Sequence, residues 1–272
     1  MIDDKIIGFI GAGNMGSAMI GGILKASLVA TGQLIASAHS SETLERLHAR
    51  FKIETTLSNQ TVAERSDILV LAVKPDKFDE VLPQIAPHVK NQCIVVSVAA
   101  GRTIAAIEKG FGRELKLVRA MPNTPALVGE AMSALCANTR VTEEELAEVR
   151  QIFEAFGKAE VVPERLLDAV VGVSGSSPAY VYLFLEAMAD AAVAEGMPRE
   201  KAYKFAAQAV CGAARMVLET GRHPGELKDE VCSPGGTTIE AVAALEKGGL
   251  RDAVITAQRI CTEKSRVMSR EE

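Results

Sequence analysis

The sequence has little to offer nucleic acid, a zinc ion or an export machinery. Thirty Lys and Arg residues face 35 Asp and Glu, a formal net charge of −5, and the two signs are interspersed along the chain. No basic stripe is present that could neutralise a run of phosphates, so nucleic acid is not expected as a partner. The five cysteines, Cys93, Cys136, Cys211, Cys232 and Cys261, are odd in number, widely scattered and form no CxxC pair. That usage fits neither a disulfide framework nor a zinc site, no metal is expected, and a reducing cytoplasm is the simplest home. The opening MIDDKIIGFI puts two acids where a secretory signal needs cations, and its apolar stretch breaks at Gly11, so export is not expected. Long hydrophobic runs are missing too. The most apolar long stretch, 177–196, is interrupted by Glu186, Asp190 and Glu195. Each is costly in a bilayer, so no membrane partner is expected and the segment reads as a buried helix.

What is present is ordinary globular usage, 48% hydrophobic and 24% charged, in 272 residues, which is long for one core and predicts two domains. Up to about residue 165, apolar runs of strand length alternate with helix-period segments, as βαβ crossovers require. Strands are predicted near 5–10, 33–38, 51–55, 67–73, 92–98, 115–120, 131–136 and 159–162. The runs ILVLAV (68–73) and CIVVSV (93–98) are apolar at nearly every position, as strands covered on both faces must be. Thr142 and Glu145 have the spacing of a capping box, and Gly157 stands where a left-handed C-terminal cap of the helix they open is expected. After about residue 165 the β signal gives way to helix formers, with helices predicted near 178–195, 199–220, 237–246 and 249–268. The expected fold is α/β: a Rossmann-like, doubly wound, mostly parallel sheet over 1–165, then an all-α domain over 166–272. The first helix of that second domain, PAYVYLFLEAMADAAVAEG, is apolar nearly all round and needs company on every side. The residues after 165 are few to surround it, which implies a second subunit, most simply through a two-fold interface. A monomer that buries the helix against the sheet domain is the alternative.

Seven segments carry chemistry. KIIGFI leads directly into GAGNMG, residues Gly11, Ala12, Gly13, Asn14, Met15 and Gly16, and then into a helix. In that context the glycines read as a dinucleotide site: Gly11 for the tight turn, Gly13 for approach to the pyrophosphate, Gly16 for close helix–strand packing. The second strand ends in Ala38, His39, Ser40, Ser41, where an NAD-preferring site would usually place an acid for the ribose 2′-hydroxyl. Hydroxyls, an imidazole and the nearby Arg46 tolerate a 2′-phosphate, so NADPH is the expected donor and NADH the alternative; His39 reads equally as a solvated turn residue. The fourth strand ends in Ala72, Val73, Lys74 and Pro75, at the crevice where ligands of such sheets sit, although the Lys74 side chain reads equally as solvated. The next ends in SVAAG (97–101), where small residues such as Ala99 leave room for a planar ring. RAMPNTP (119–125) follows, stiffened by two prolines, with Asn123 and Thr124 either orienting a ligand or holding the turn. In the helical region KDEVCSPGGTTIEAV (228–242) packs Ser233, Pro234, Gly235, Gly236, Thr237 and Thr238 immediately before a helix. Consecutive amides and a helix N-terminus suit a carboxylate; an ordinary turn with a Thr cap is the other reading. SGSSPAY (174–180) opens the long apolar helix with a second small-residue turn that can face the same crevice or only cap.

In this order and at these positions, GAGNMG, AVKP, MPNTPA, SGSSPAY and HPGELKDEVCSPGGTT resemble the pyrroline-5-carboxylate reductases over nearly the whole chain, the last string being the most specific. The resemblance implies a reductase of the final step of proline biosynthesis, acting on a CH–NH group, with NADPH or NADH as hydride donor. It implies a helical C-terminal domain that interlocks into homodimers, which in this family often assemble into decamers. The implied substrate is the cyclic imine pyrroline-5-carboxylate and the product is proline. The amides around Ser233, Gly235, Gly236 and Thr237 would hold the carboxylate and the Thr238 hydroxyl would bond the imine nitrogen. The family pattern usually has SGSGPAY, and Ser177 replaces its second glycine. Two rivals remain. A β-hydroxyacid dehydrogenase shares the two-domain plan but uses a lysine in the long helix, and none occurs over 177–198. A non-catalytic NADP-sensing protein would have no need of a carboxylate seat.

Overall fold

A computed structural model describes residues 2–270. Each of the eight expected strands forms: β1 (Ile7–Ile10), β2 (Leu34–Ser37), β3 (Glu54–Thr56), β4 (Ile68–Leu71), β5 (Ile94–Ser97), β6 (Lys116–Met121), β7 (Ala131–Ala137) and β8 (Gly157–Val161). They make one sheet in the order β3-β2-β1-β4-β5-β6-β7-β8. Every neighbouring pair is parallel except β6 with β7. The crossovers are the helices α1 (Asn14–Lys25), α2 (Ser41–Phe51), α3 (Asn59–Arg65), α4 (Phe78–Ile85), α5 (Ile104–Phe111) and α6 (Glu143–Glu154). The sheet is doubly wound because β1, β2, β4 and β5 are buried at every residue. Ile68 and Val70 face a core with α1 and α6, while Leu69 and Leu71 face one with α4 and α5. The period-two alternation of a strand thus serves two hydrophobic layers at once. Cys93 lies in the second layer, where burial pushes its thiol up to about 12, and it acts as a small core residue.

The capping box at the start of α6 forms: the Thr142 hydroxyl accepts from the Glu145 amide at 3.2 Å, and the Glu145 carboxylate accepts from the Thr142 amide at 3.0 Å. The expected left-handed cap at Gly157 does not. The helix ends at Ala155 in right-handed geometry, and Gly157 opens β8, where a β-carbon would stand 2.1 Å from the carbonyl oxygen of Ala131. Its glycine serves close strand packing rather than a turn.

The helical region holds α7 (Leu167–Val170), which runs into a π-type turn over Val171–Gly175, then α8 (Ser177–Ala194), α9 (Arg199–Thr220), α10 (Pro224–Val231), α11 (Thr237–Lys247) and α12 (Leu250–Arg270). The helix α10 is missing from the sequence expectation, although its start signals are ordinary. Pro224 occupies the first turn, and the His223 ring accepts from the Gly225 amide at 3.0 Å.

The chain divides into two compact units. One comprises the residues up to Ser176 together with those from Cys261 onward; the other is Ser177–Ile260. In the second unit, α8 and α9 pack through small residues, and Ala189, Ala202 and Ala206 are its buried positions. Its large apolar side chains face outward, with Tyr182 61%, Leu183 69% and Leu218 77% exposed. Among the described residues no helix is long and apolar enough to cross a membrane.

Candidate active site

The sheet order reverses between β1 and β4, and ligands of open α/β sheets sit beyond the strand ends at such a switch point. The structure brings four predicted segments together there. The Gly11 amide donates to Ser37 O at 3.1 Å, the Ala72 amide to Ile10 O at 2.8 Å, and the Val98 amide to Leu71 O at 3.2 Å. The turns after β2, β1, β4 and β5 therefore form one continuous rim.

Each glycine of GAGNMG has its own steric reason. Gly11 has φ +98°, and a β-carbon on it would lie 2.7 Å from the Ala72 carbonyl. One on Gly16 would lie 2.4 Å from Gly11 O. Gly13 has open space within 4 Å, which leaves its backbone free for a ligand to approach. Ala12 is buried and the Ser17 hydroxyl donates to its carbonyl at 3.0 Å, so the turn is held from beneath. Asn14, Met15 and Gly16 open α1, and their amides, like those at any helix start, lack intrahelical carbonyls. The motif thus offers a rigid ring of donors at a positive helix end, suited to a pyrophosphate.

His39 and Ser40 are exposed beyond β2. Ser40 is the N-cap of α2: its hydroxyl accepts from the Thr43 amide at 3.3 Å. Val73 is half-buried, Lys74 is exposed, and Pro75 opens a short 3-10 turn. Ala99 is buried on the β5 loop, with its amide on the Ser97 hydroxyl. Asn123 neither caps its turn nor points free into solvent. It is 8% exposed; its Nδ2 donates to Ser174 O and its Oδ1 accepts from the Met132 amide, both at 3.0 Å. One Nδ2 hydrogen is left for a ligand. Reading the motifs along the sequence missed the ion pair between Arg119 and Glu164, 3.0 Å apart. The two stand 45 residues apart with no shared spacing pattern.

In the second unit, Ser233, Pro234, Gly235 and Gly236 form a tight turn closed by the Gly236 amide on Ser233 O at 3.0 Å. Proline at its second position and Gly235 at φ +66° at its third are the requirements of a type II turn. A β-carbon on Gly236 would lie 2.4 Å from the Ser233 hydroxyl. Because the Gly236 amide closes the turn, the donors left for an anion are those of Gly235 and of Thr237 and Thr238, the first residues of α11. Thr238 is half-buried and Ser233 exposed.

A sheet of this order with a glycine-rich turn at its switch point defines a dinucleotide-binding protein of the Rossmann type. The comparisons narrow the class. A family model described as pyrroline-5-carboxylate reductase dimerisation matches residues 164–268, and one described as NADP oxidoreductase coenzyme F420-dependent matches 6–101. The pyrroline-5-carboxylate reductase of Escherichia coli strain K12 is 53% identical over 98% of this chain and 99% of its own. That of Methanosarcina acetivorans is 43% identical over 99% of this chain and 100% of its own. The crystal structure of the Plasmodium falciparum enzyme with NADP bound superimposes with a TM-score of 0.89 at 34% identity, covering 98% of this chain and 99% of that one. The chain belongs to the pyrroline-5-carboxylate reductase family and is an oxidoreductase acting on an imine. Membership decides against the hydroxyacid dehydrogenase and the silent sensor.

Proposed function

We propose that the chain reduces 1-pyrroline-5-carboxylate to proline with NADPH as the preferred donor, and that the turn at Ser233–Gly236 with the start of α11 is its substrate seat. The dinucleotide is assigned to residues 11–16, His39, Ser40, the 72–75 turn, Ala99 and Asn123, within a binding domain over 1–165. The substrate and a second subunit are assigned to 166–272. One observation carries the substrate reading: a proline and two glycines are spent on shaping a turn that delivers a helix start, with two threonine hydroxyls at its mouth.

The chemistry asks little acid catalysis of the protein. A protonated cyclic imine is already electrophilic, and the bound nicotinamide supplies the hydride. Positioning is the remaining task. The Gly235 and Thr237 amides hold the carboxylate, the positive end of α11 adds to its field, and the Thr238 hydroxyl bonds the imine nitrogen. An unassisted hydroxyl is a poor acid, so Thr238 orients more than it protonates. Thr238→Ala should lose about 1–3 kcal/mol of transition-state stabilisation, read from kcat/KM, with NADPH affinity nearly unchanged; unaltered turnover sinks the assignment. A preference for NADPH rests on the absence of an acid at 38–41. Homodimers are proposed from the outward-facing apolar side chains of α8 and α9, and decamers built from them from the family resemblance alone. A cytoplasmic location is proposed from five cysteines that are all free.

A further inference from the structure

The loop between β5 and α5 carries Ala99 and the glycine at 101, and it is closed by a residue far away in the chain. Its base is Ser97, in register with Arg119 of β6. Its far end is the amide of Ile104, the first residue of α5. Glu164 joins the two with a single oxygen: Oε1 accepts from the Ile104 amide at 2.8 Å and from the Arg119 guanidinium at 3.0 Å. Arg119 is 5% exposed, so without this partner its charge would lie buried and uncompensated. The Ile104 amide is one of the four donors that a helix start leaves unpaired. The Thr103 hydroxyl serves the Ala106 amide at 3.1 Å, and the carboxylate serves Ile104. In the middle of the loop, Gly101 sits at φ +79°, and a β-carbon there would lie 3.4 Å from the Met268 side chain.

We propose that Glu164 is a positioning residue for hydride transfer: it locks the β5–α5 loop, the wall against which the nicotinamide ring rests, to the buried arginine of β6. The proposal rests on the placement of the ring beside Ala99 given above. What the clamp needs is one oxygen at glutamate's reach that accepts from a guanidinium and a helix-start amide together, and the carboxylate charge strengthens both bonds. Glutamine keeps the shared oxygen and loses the charge; aspartate is one methylene too short to serve both donors; alanine releases them.

The test has two arms. In the cofactor-free protein, amide hydrogen exchange over 98–106 should rise about tenfold in Glu164→Ala and Glu164→Asp, with strands β1 and β4 unchanged. With C4-deuterated NADPH, the same variants should lose about 10- to 100-fold in kcat. Their deuterium isotope effect should rise and the imine KM stay within about twofold, since only the transfer step is disturbed. Glu164→Gln should rescue most of the turnover, and it remains as a readout if the alanine variant does not fold. Unchanged exchange over 98–106, or a rise shared by the whole sheet, overturns the clamp. A loosened loop with an unaltered isotope effect overturns the placement of the ring beside Ala99 instead.

Discussion

Ser40 has two tasks that a single substitution separates. Its hydroxyl caps α2 through the Thr43 amide, and it stands where a 2′-phosphate is proposed to lie. Aspartate is as good an N-cap as serine, so Ser40→Asp keeps the helix and adds only a negative charge. Titration should show NADPH binding weakened about tenfold or more by repulsion, NADH by less than about threefold, and an unchanged melting temperature. Equal NADPH affinity in the variant places the phosphate elsewhere. Residue-scale features of this kind were legible where the cause is local. The roles read for Gly11 and Gly16 match their φ and their carbonyl neighbours because a tight turn and a close approach leave a glycine at a fixed spacing. Asn123 was less legible: its partners Ser174 and Met132 are set by the folding of distant chain, which nothing beside it in the sequence records.

At the scale of elements, the central strands were legible because double burial writes an unbroken apolar run. The antiparallel direction of β7 was not, since the alternation of a strand is the same read either way. Nor was α10, which presents no buried face to mark its period. Strand starts also depend on polar ties that periodicity does not reveal. Asp67 joins the beginnings of β1 and β4: its carboxylate accepts from the Ile6 amide at 2.9 Å and from Lys90 at 2.8 Å. Burial by itself raises its pKa, but the Ile6 amide and the Lys90 ammonium outweigh it and hold the carboxyl below its usual range. A depressed folded value means that the contribution is present above the unfolded pKa, about 3.9, and is lost as pH falls through the folded value. Asp67→Asn should therefore cost about 1–2 kcal/mol in urea unfolding at pH 7, a figure kept low because the side chain is 36% exposed. The gap between variant and parent should close below about pH 4; a gap that persists at pH 2 would show that the carboxylate charge is irrelevant.

For the whole molecule, the second unit cannot account for its own sequence. Tyr182 and Leu183 of α8 stay exposed, and an apolar groove of about 820 Å³ runs between α8 and the first half of α12, lined by Tyr180, Leu183, Phe184 and Val254 among others. Burying one large apolar side chain contributes about 1.5–3 kcal/mol, and a two-fold axis counts each one twice. Self-association is the way to recover that energy without a foreign partner, and the match of residues 164–268 to a dimerisation family agrees with it. Leu183→Glu puts a charge at the centre of the face while leaving the polar surface and the dinucleotide ring untouched, and each dimer would carry the charge twice. Sedimentation should move the protein from at least twice the 28.9 kDa chain mass to the chain mass itself. Cofactor binding by the sheet unit should survive while turnover falls, because the proposed substrate seat lies on the helices that lose their support. A parent protein that already sediments at the chain mass, or a variant that keeps the parent's mass and activity, would show that these side chains are covered in some other way.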